Sequence, residues 1–145
     1  MLDQMELHPY LAQEKFVKWH KKHNIHVTGY SPLAGTNPTY SPGEPPHLLN
    51  NTVMKDIASN RSCTPAQVAL MWGMSRGTSV IPKSSHYERI VENLHSLECV
   101  LEKEDLKAID KLDKYHWRYN NPQKGWKVPL YDGLEDGKGK HKKHS

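Results

Sequence analysis

The sequence predicts an α/β fold in which short parallel strands alternate with amphipathic helices. Runs of strand-like composition occur at residues 2–7, 25–30 and 79–82, and a segment with helical periodicity follows each of them. Such alternation is typical of parallel βα units, because parallel strands need a crossover connection. No Gly-x-Gly-x-x-Gly motif follows a strand, so the usual sequence sign of a dinucleotide-binding open sheet is absent. The pattern alone leaves an open sheet and a barrel as alternatives.

The first three elements are predicted from the alternation and spacing of apolar residues. Residues 2–7 alternate apolar and polar side chains before Pro9, which predicts a first strand that ends there. Residues 12–23 place apolar side chains at helical spacing, which predicts a helix. Residues 25–30 have the β-branched and aromatic composition of a second strand, and Pro32 ends it.

The middle of the chain begins with a predicted surface loop over residues 35–46, which contain four prolines and two glycines. A short helix is predicted around residues 53–58. Thr64 and Gln67 have the spacing of a capping box, with proline at the first helical position between them, so a further helix begins there. Gly77 is expected to end that helix.

A third strand is predicted over residues 79–82, and it leads directly into another helix start. Ser85 and Glu88 have capping-box spacing for this helix. Apolar side chains over residues 106–112 predict a last amphipathic helix. An irregular aromatic segment over residues 115–131 follows it.

Length and charge narrow the class of protein. The chain has 145 residues, whereas a complete (β/α)8 barrel has about 250. Its formal net charge is +4, and much of the surplus lies in a basic, glycine-containing stretch over residues 137–145. We therefore predict a disordered basic tail at residues 131–145. The alternative is that this tail binds polyanions weakly and in a salt-dependent way. Nucleic acid is not the expected partner.

Several classes of protein and site are disfavoured by what the sequence lacks. No apolar run approaches the roughly 18 residues of a membrane span, and the amino terminus does not resemble a secretory signal. Cys63 and Cys99 do not indicate a disulfide framework and are predicted to be packing residues in a reducing, cytoplasmic compartment. His20, His23 and His26 share no recognisable ligand spacing with cysteines or carboxylates, so no metal site is predicted.

An anion site is predicted where the third strand leads into the next helix. Lys83 lies at the carboxyl end of the strand, the backbone N–H groups after Ser85 are at a helix start, and Arg89 lies one turn further on. Phosphate suits two cations and a helix N-terminus. The alternative is a solvated lysine and an arginine that only covers the helix start.

Three blocks of this sequence together resemble the aldo-keto reductase family. Residues 3–10, Asp-Gln-Met-Glu-Leu-His-Pro-Tyr, are similar to the family's Asn-Gln-x-Glu-x-His-Pro segment. Residues 29–33 contain its Tyr-Ser-Pro-Leu segment. Residues 81–84 with Arg89 and residues 92–93 resemble its cofactor clamp. The resemblance covers most of residues 2 to 130, and its strength lies in the order and spacing of the three blocks.

The resemblance implies a (β/α)8 TIM barrel that binds NADP(H) without a Rossmann fold. This chain would be its C-terminal part, about strands 6–8 with their helices, and residues 1–130 would form a partial oxidoreductase domain. The family's catalytic Asp, Tyr, Lys and His come from the first half of the barrel, so no catalytic residue is predicted here. The expected function is that of a truncated NADP(H)-dependent aldo-keto reductase whose full-length parent acts on a small carbonyl substrate. The alternative is a non-catalytic module that self-associates through exposed sheet edges.

Four residues match positions that hold the nicotinamide half of the cofactor in that family. Gln4 matches a residue that hydrogen-bonds the nicotinamide amide, and Tyr30 matches one that stacks on the nicotinamide ring. Ser31 and Leu33 match residues that contact the pyrophosphate. Asp3 stands where the family usually has Asn, which is expected to place a charge near the amide pocket.

Five further residues match positions around the adenosine half of the cofactor. Lys83, Ser84 and Arg89 match the group that holds the 2′-phosphate, which distinguishes NADP from NAD. Glu92 and Asn93 match residues at the adenine.

The aromatic segment near the end of the chain is the candidate for substrate contact. In this family the C-terminal segment forms a loop over the substrate end of the barrel, which makes Trp117 and Trp126 candidate substrate residues. The alternative for both is simple packing.

Overall fold

The computed structural model describes residues 1–35, 47–120 and 126–128, in which three parallel strands form one sheet. The strands are β1 (Leu2–Glu6), β2 (His26–Tyr30) and β3 (Ser79–Ile81), in the spatial order β1-β2-β3. The helices are α1 (Glu14–Lys22), α2 (Thr52–Asn60), α3 (Pro65–Ser75), α4 (Tyr87–Leu94) and α5 (Lys103–Asp110). The predicted α/β class with parallel strands is confirmed.

The helices that pack on the sheet cover only one of its faces. Val17 of α1 packs against Met5 and Val27 on that face, and Gly73 of α3 leaves room for Val80 of β3, which a β-carbon at position 73 would approach to 2.7 Å. On the other face Gln4 is exposed and Ile81 is 45 % exposed, whereas Glu6 is buried. A doubly wound parallel sheet carries helices on both faces, whereas the helices described here pack on one.

A second core lies among the helices that come after β2 in the chain. It is built mainly from α2, α3 and α5, and it includes the fully buried residues Tyr10, Met54 and Val68. Trp72 of α3 is also buried there, and its indole N–H donates to Asp110 at 2.8 Å. This hydrogen bond ties α3, which supports β3, to the end of α5.

One predicted helix start is confirmed and the other is wrong. The Thr64 hydroxyl accepts from the Gln67 N–H, and the Gln67 side chain accepts from the Thr64 N–H, as in a capping box. The capping box of Ser85 and Glu88 does not form, because α4 begins later, at Tyr87. Ser84 supplies the local hydrogen bond instead, since its hydroxyl accepts from the N–H of the residue preceding α4 at 3.1 Å.

Cys63 and Cys99 pack in the helical core as predicted, but the expectation that they form no disulfide is wrong, because they are joined by one. The α2–α3 turn and the segment after α4 bring their Cα atoms to 5.8 Å, which is within the usual range for a disulfide. The two residues are 36 positions apart, so no local pattern reveals this approach.

Other predictions fall partly or wholly outside the described residues. Most of the proline-rich loop and the basic tail at residues 131–145 belong to this part of the chain. Among the helices that the structure describes, none is long and apolar enough to cross a membrane.

Candidate functional site

Two adjacent cavities lie at the carboxyl ends of β2 and β3. The larger has a volume of about 690 Å³ and is lined by Leu33, His47, Leu49, Ala66, Lys83, Ser84, Ser85, His86, Arg89, Glu92 and Asn93. The smaller has a volume of about 180 Å³ and is lined by Ser31, Pro32, Leu33, Ala34, Gly35, Ile81, Pro82, Lys83, Tyr119 and Asn120. Leu33 and Lys83 line both cavities, so the two spaces meet at these side chains.

The structure brings most of the predicted cofactor residues together at these cavities. The six that line the larger cavity are Leu33, Lys83, Ser84, Arg89, Glu92 and Asn93. Ser31 lines the smaller one, and Tyr30 precedes it as the last residue of β2. Gln4 lies apart from both cavities, in the middle of β1 and exposed on the open face. Their roles in cofactor binding stay predictions.

The charges along the larger cavity favour an anion. Lys83 and Arg89 are exposed, and within the described part of the chain neither has an ion-pair partner. Glu92 is the acidic residue of this lining, and its carboxylate accepts a hydrogen bond from the Thr64 hydroxyl. Its backbone oxygen accepts from the Gln67 side chain at 3.1 Å. The two cations are therefore available to a ligand, while Glu92 joins α4 to the start of α3.

The carboxylate of Asp3 pairs with a histidine of α1, and its effect on a nicotinamide amide stays a prediction. Asp3 lies 2.7 Å from Nε2 of His20, on the face of the sheet that α1 covers. The second ring nitrogen of His20 lies 2.8 Å from the Phe16 carbonyl oxygen. Because successive side chains of a strand point to opposite faces, Gln4 lies on the other side, away from this charge.

A buried carboxylate at the carboxyl end of β1 is a feature of the site that the sequence patterns did not single out. Glu6 is fully buried and lies 3.0 Å from Nε2 of the equally buried His8. It also accepts from the backbone N–H groups of Tyr119 at 2.7 Å and of Asn120 at 2.9 Å. Burial by itself raises the pKa of Glu6, but these hydrogen bonds and the nearby imidazole lower it overall.

The segment held by Glu6 forms one wall of the smaller cavity. The Asn120 side-chain amide donates to the Ser31 hydroxyl at 3.3 Å. The ring of Tyr119 lies against Gly35, where a β-carbon would overlap it. Burial raises the pKa of Tyr119 to about 12. One signal in the sequence points to part of this network, because Glu6 and His8 are two residues apart and share one face of an extended strand.

The two candidate substrate residues lie away from these cavities. Trp117 is partly buried, packs against the helical core and donates its backbone N–H to the Tyr10 carbonyl at 2.9 Å. Trp126 is 68 % exposed. Neither lines the two cavities, and substrate contact stays a prediction for both.

In residues 1–35, 47–120 and 126–128, no group of three or more His, Cys, Asp or Glu side chains is arranged to hold a metal ion.

Comparisons with known proteins agree with the three sequence blocks. An uncharacterized oxidoreductase of Schizosaccharomyces pombe is 40 % identical over 138 residues, which are 94 % of this chain and 41 % of that protein. A probable NAD(P)H-dependent D-xylose reductase of Emericella nidulans is 43 % identical over 123 residues, covering 82 % of this chain and 38 % of that one. The chain thus spans about two fifths of the length of these relatives.

Solved structures share the fold as well as the sequence. The aldose reductase of Giardia lamblia superimposes with a TM-score of 0.79 at 33 % identity, over 90 % of this chain and 43 % of that one. A mutant protein crystallised in complex with NADPH has a TM-score of 0.73 at 33 % identity, over 83 % of this chain and 41 % of that one. The model of the aldo/keto reductase family matches residues 1–114. The chain belongs to the aldo/keto reductase family.

Proposed function

We propose that this chain is the cofactor-binding part of an NADP(H)-dependent oxidoreductase that interconverts small aldehydes or ketones and alcohols. The observation that carries the proposal is the larger cavity, whose lining includes Lys83 and Arg89, neither of which has an ion-pair partner among the described residues. Two available cations at the carboxyl end of a parallel strand suit the extra phosphate of NADP.

The one-sided sheet supports a position in the wall of a barrel. The helices that pack on the sheet cover one face, while Ile81 on the other face is 45 % exposed. We propose that β1, β2 and β3 correspond to about strands 6–8 of a (β/α)8 barrel, with residues 1–130 as the partial domain and residues 131–145 as a tail. The exposed face would then be the barrel interior.

The residues at the two cavities fit the parts of the dinucleotide in order. Arg89 offers a planar, bidentate donor and Lys83 a point charge for the 2′-phosphate. The Ser31 hydroxyl offers a hydrogen bond to the pyrophosphate, and the half-buried aromatic face of Tyr30 suits a planar ring. When bound, the cofactor supplies a hydride for carbonyl reduction.

A carbonyl reduction also needs a positioned acid, and we assign none in this chain. Tyr119 is the phenol that lines the smaller cavity, but burial raises its pKa to about 12, far from the range that favours proton transfer near neutral pH. We therefore propose that the acid and the rest of the substrate site belong to the longer parent protein. The isolated chain is expected to be nearly inactive with NADPH and an aldehyde.

The test is a titration of NADP⁺ and NAD⁺ against the chain and its Arg89→Ala variant. Loss of a charge-assisted contact of about 1.5–3 kcal/mol should weaken NADP⁺ binding roughly tenfold to more than a hundredfold. NAD⁺ binding should stay nearly unchanged. The matched control is Lys107→Ala, which removes an exposed cation from α5. Equal losses for both cofactors would mean that Arg89 supports the helix and not the phosphate.

A second candidate function is self-association, and the exposed apolar surface favours it. Among the described residues, no further strand pairs with the sheet at its two edges, β1 and β3. Large apolar side chains beside these edges and on α4 are exposed: Leu2, Ile81, Tyr87, Ile90 and Leu94. Such edges and surfaces favour pairing with another chain. Sedimentation of the purified chain as a monomer at high concentration would argue against this candidate.

A further inference from the structure

We propose that Glu6 is a positioning residue for dinucleotide binding, because it holds residues 118–120 in place as a wall of the smaller cavity. This inference rests on the proposed function, since it assigns a role in binding the same cofactor. Glu6 lines neither cavity, so it acts through the residues that it holds.

Both oxygens of the Glu6 carboxylate accept hydrogen bonds from the backbone of that segment. Its Oε1 accepts from the Tyr119 N–H and lies 3.0 Å from His8, and its Oε2 accepts from the Asn120 N–H. A fully buried carboxylate is costly unless several donors compensate it. The two N–H groups therefore stay with Glu6 in the folded protein, which fixes the backbone of the segment on the sheet.

A second tether links the same segment to the backbone of β1. The Gln13 side chain donates to the Glu6 carbonyl oxygen at 2.5 Å. The Arg118 guanidinium in turn donates to the Gln13 side-chain oxygen at 3.1 Å. The segment is thus held at three successive residues, and the shared anchor is Glu6.

The same segment contacts two other residues that line the smaller cavity, Ser31 and Gly35. The Asn120 side chain donates to the Ser31 hydroxyl, and Tyr119 packs against Gly35. Ser31 and Gly35 are the two ends of the turn that follows β2. Ser31 has a φ of 51°, in the left-handed region that is unfavourable for a residue other than glycine. Because this conformation is unfavourable, contacts from outside the turn must stabilise it. Residues 118–120 supply such contacts at Ser31 and at Gly35.

The experiment compares two ligands that fill different parts of the site. NADP⁺ spans both cavities in the proposed function, whereas adenosine 2′,5′-bisphosphate occupies only the cationic end at Lys83 and Arg89. In Glu6→Gln, an uncharged amide replaces the carboxylate and one of its acceptors becomes a donor. NADP⁺ should bind about tenfold more weakly, while the bisphosphate should bind as before.

Hydrogen exchange supplies a readout that needs no ligand. The backbone N–H groups of Tyr119 and Asn120 should exchange at least about tenfold faster in Glu6→Gln, while those of β2 stay protected. Glu6→Asp keeps the charged acceptor and should recover part of the protection and part of the affinity. The control is Glu104→Gln, which changes an exposed carboxylate on α5 and should alter neither measurement.

A variant that leaves the Glu6 carboxylate intact guards against failure of Glu6→Gln to fold. Asn120→Ala removes the donor to Ser31 and leaves the Glu6 carboxylate and its backbone partners in place. It should weaken the binding of NADP⁺ but not that of the bisphosphate, and it should not speed hydrogen exchange at the Tyr119 N–H.

The outcomes separate this inference from the proposed function. Unchanged exchange at Tyr119 and Asn120 in Glu6→Gln, or equal losses for the two ligands, would overturn the role of Glu6 alone. Failure of the unmodified chain to bind either ligand would overturn the proposed function, and the role of Glu6 in binding with it.

Discussion

The ring of Tyr119 occupies the space in which Gly35 would carry a β-carbon. The contact joins residues that are far apart in the chain, because Gly35 comes shortly after β2 and Tyr119 comes after α5. The absence of a side chain at position 35 therefore lets residues 118–120 form a wall of the smaller cavity, whose lining includes both Gly35 and Tyr119.

Gly35→Ala should displace that segment. The added methyl group overlaps the Tyr119 ring, and such overpacking typically costs about 1–3 kcal/mol of stability. Urea unfolding measures the loss. In a Tyr119→Ala background the methyl group has room, so the same glycine substitution should cost much less. An equal cost in both backgrounds would show that the ring is not what the methyl group meets.

Glu6 should make the protein sensitive to acid. Its pKa in the folded protein lies below the ordinary value of 4.5, because hydrogen bonds and His8 outweigh burial. Its contribution to stability is therefore present above pH 4.5 and is lost as the pH falls through the folded-state pKa. Glu6→Gln should be less stable at neutral pH, and the difference between the two proteins should narrow in acid. A constant difference across the acid range would contradict this expectation.

Tyr119 should make the stability of the folded protein fall in alkali. Its pKa is raised from 10.0 to about 12 by burial, so the folded state favours the neutral phenol. The stabilisation is complete below pH 10.0 and is lost as the pH rises towards 12. Tyr119→Phe should flatten the fall in stability over this interval, as measured by unfolding at several pH values. Persistence of the full slope in the variant would assign the alkaline loss to other groups.

Reduction of the Cys63–Cys99 disulfide should destabilise the chain. The bond closes a loop of 36 residues, which in the chain-entropy model corresponds to about 3–4 kcal/mol. A thiol reductant should therefore lower the midpoint of thermal unfolding. The Cys63→Ser, Cys99→Ser double variant should begin at the lower midpoint and show no response to reductant. The loop contains Lys83 and Arg89, so NADP⁺ binding by the reduced protein should be measured alongside.

The Thr64 hydroxyl should stabilise both the start of α3 and its junction with α4. It accepts from the Gln67 N–H and donates to the Glu92 carboxylate. Thr64→Ala removes the cap, at a typical cost of about 0.5–2 kcal/mol. Thr64→Ser keeps the hydroxyl and should retain most of the stability in chemical unfolding. Similar losses in both variants would attribute the effect to the lost methyl group.

The sequence alone determined the features that depend on neighbouring residues. Alternation over residues 2–7, the β-branched and aromatic composition of residues 25–30 and the helical spacing that follows predicted the parallel βα order, and the structure confirms it. The capping box of Thr64 and Gln67 also follows from spacing, because both partners lie within one helical turn. The three family blocks share this property, since each runs from one strand into the residues that come directly after it.

Tertiary structure decided the features whose partners are far apart in the chain. Glu6 and the Asn120 N–H are separated by 114 positions, and the disulfide joins residues 36 positions apart. Such partners meet only after the helices pack on one face of the sheet. A local pattern can also be overridden, as at Ser85, where α4 begins later than its spacing predicts. Periodicity and capping report energies within one turn, whereas burial of Glu6 and closure of the disulfide depend on the packing of the whole chain.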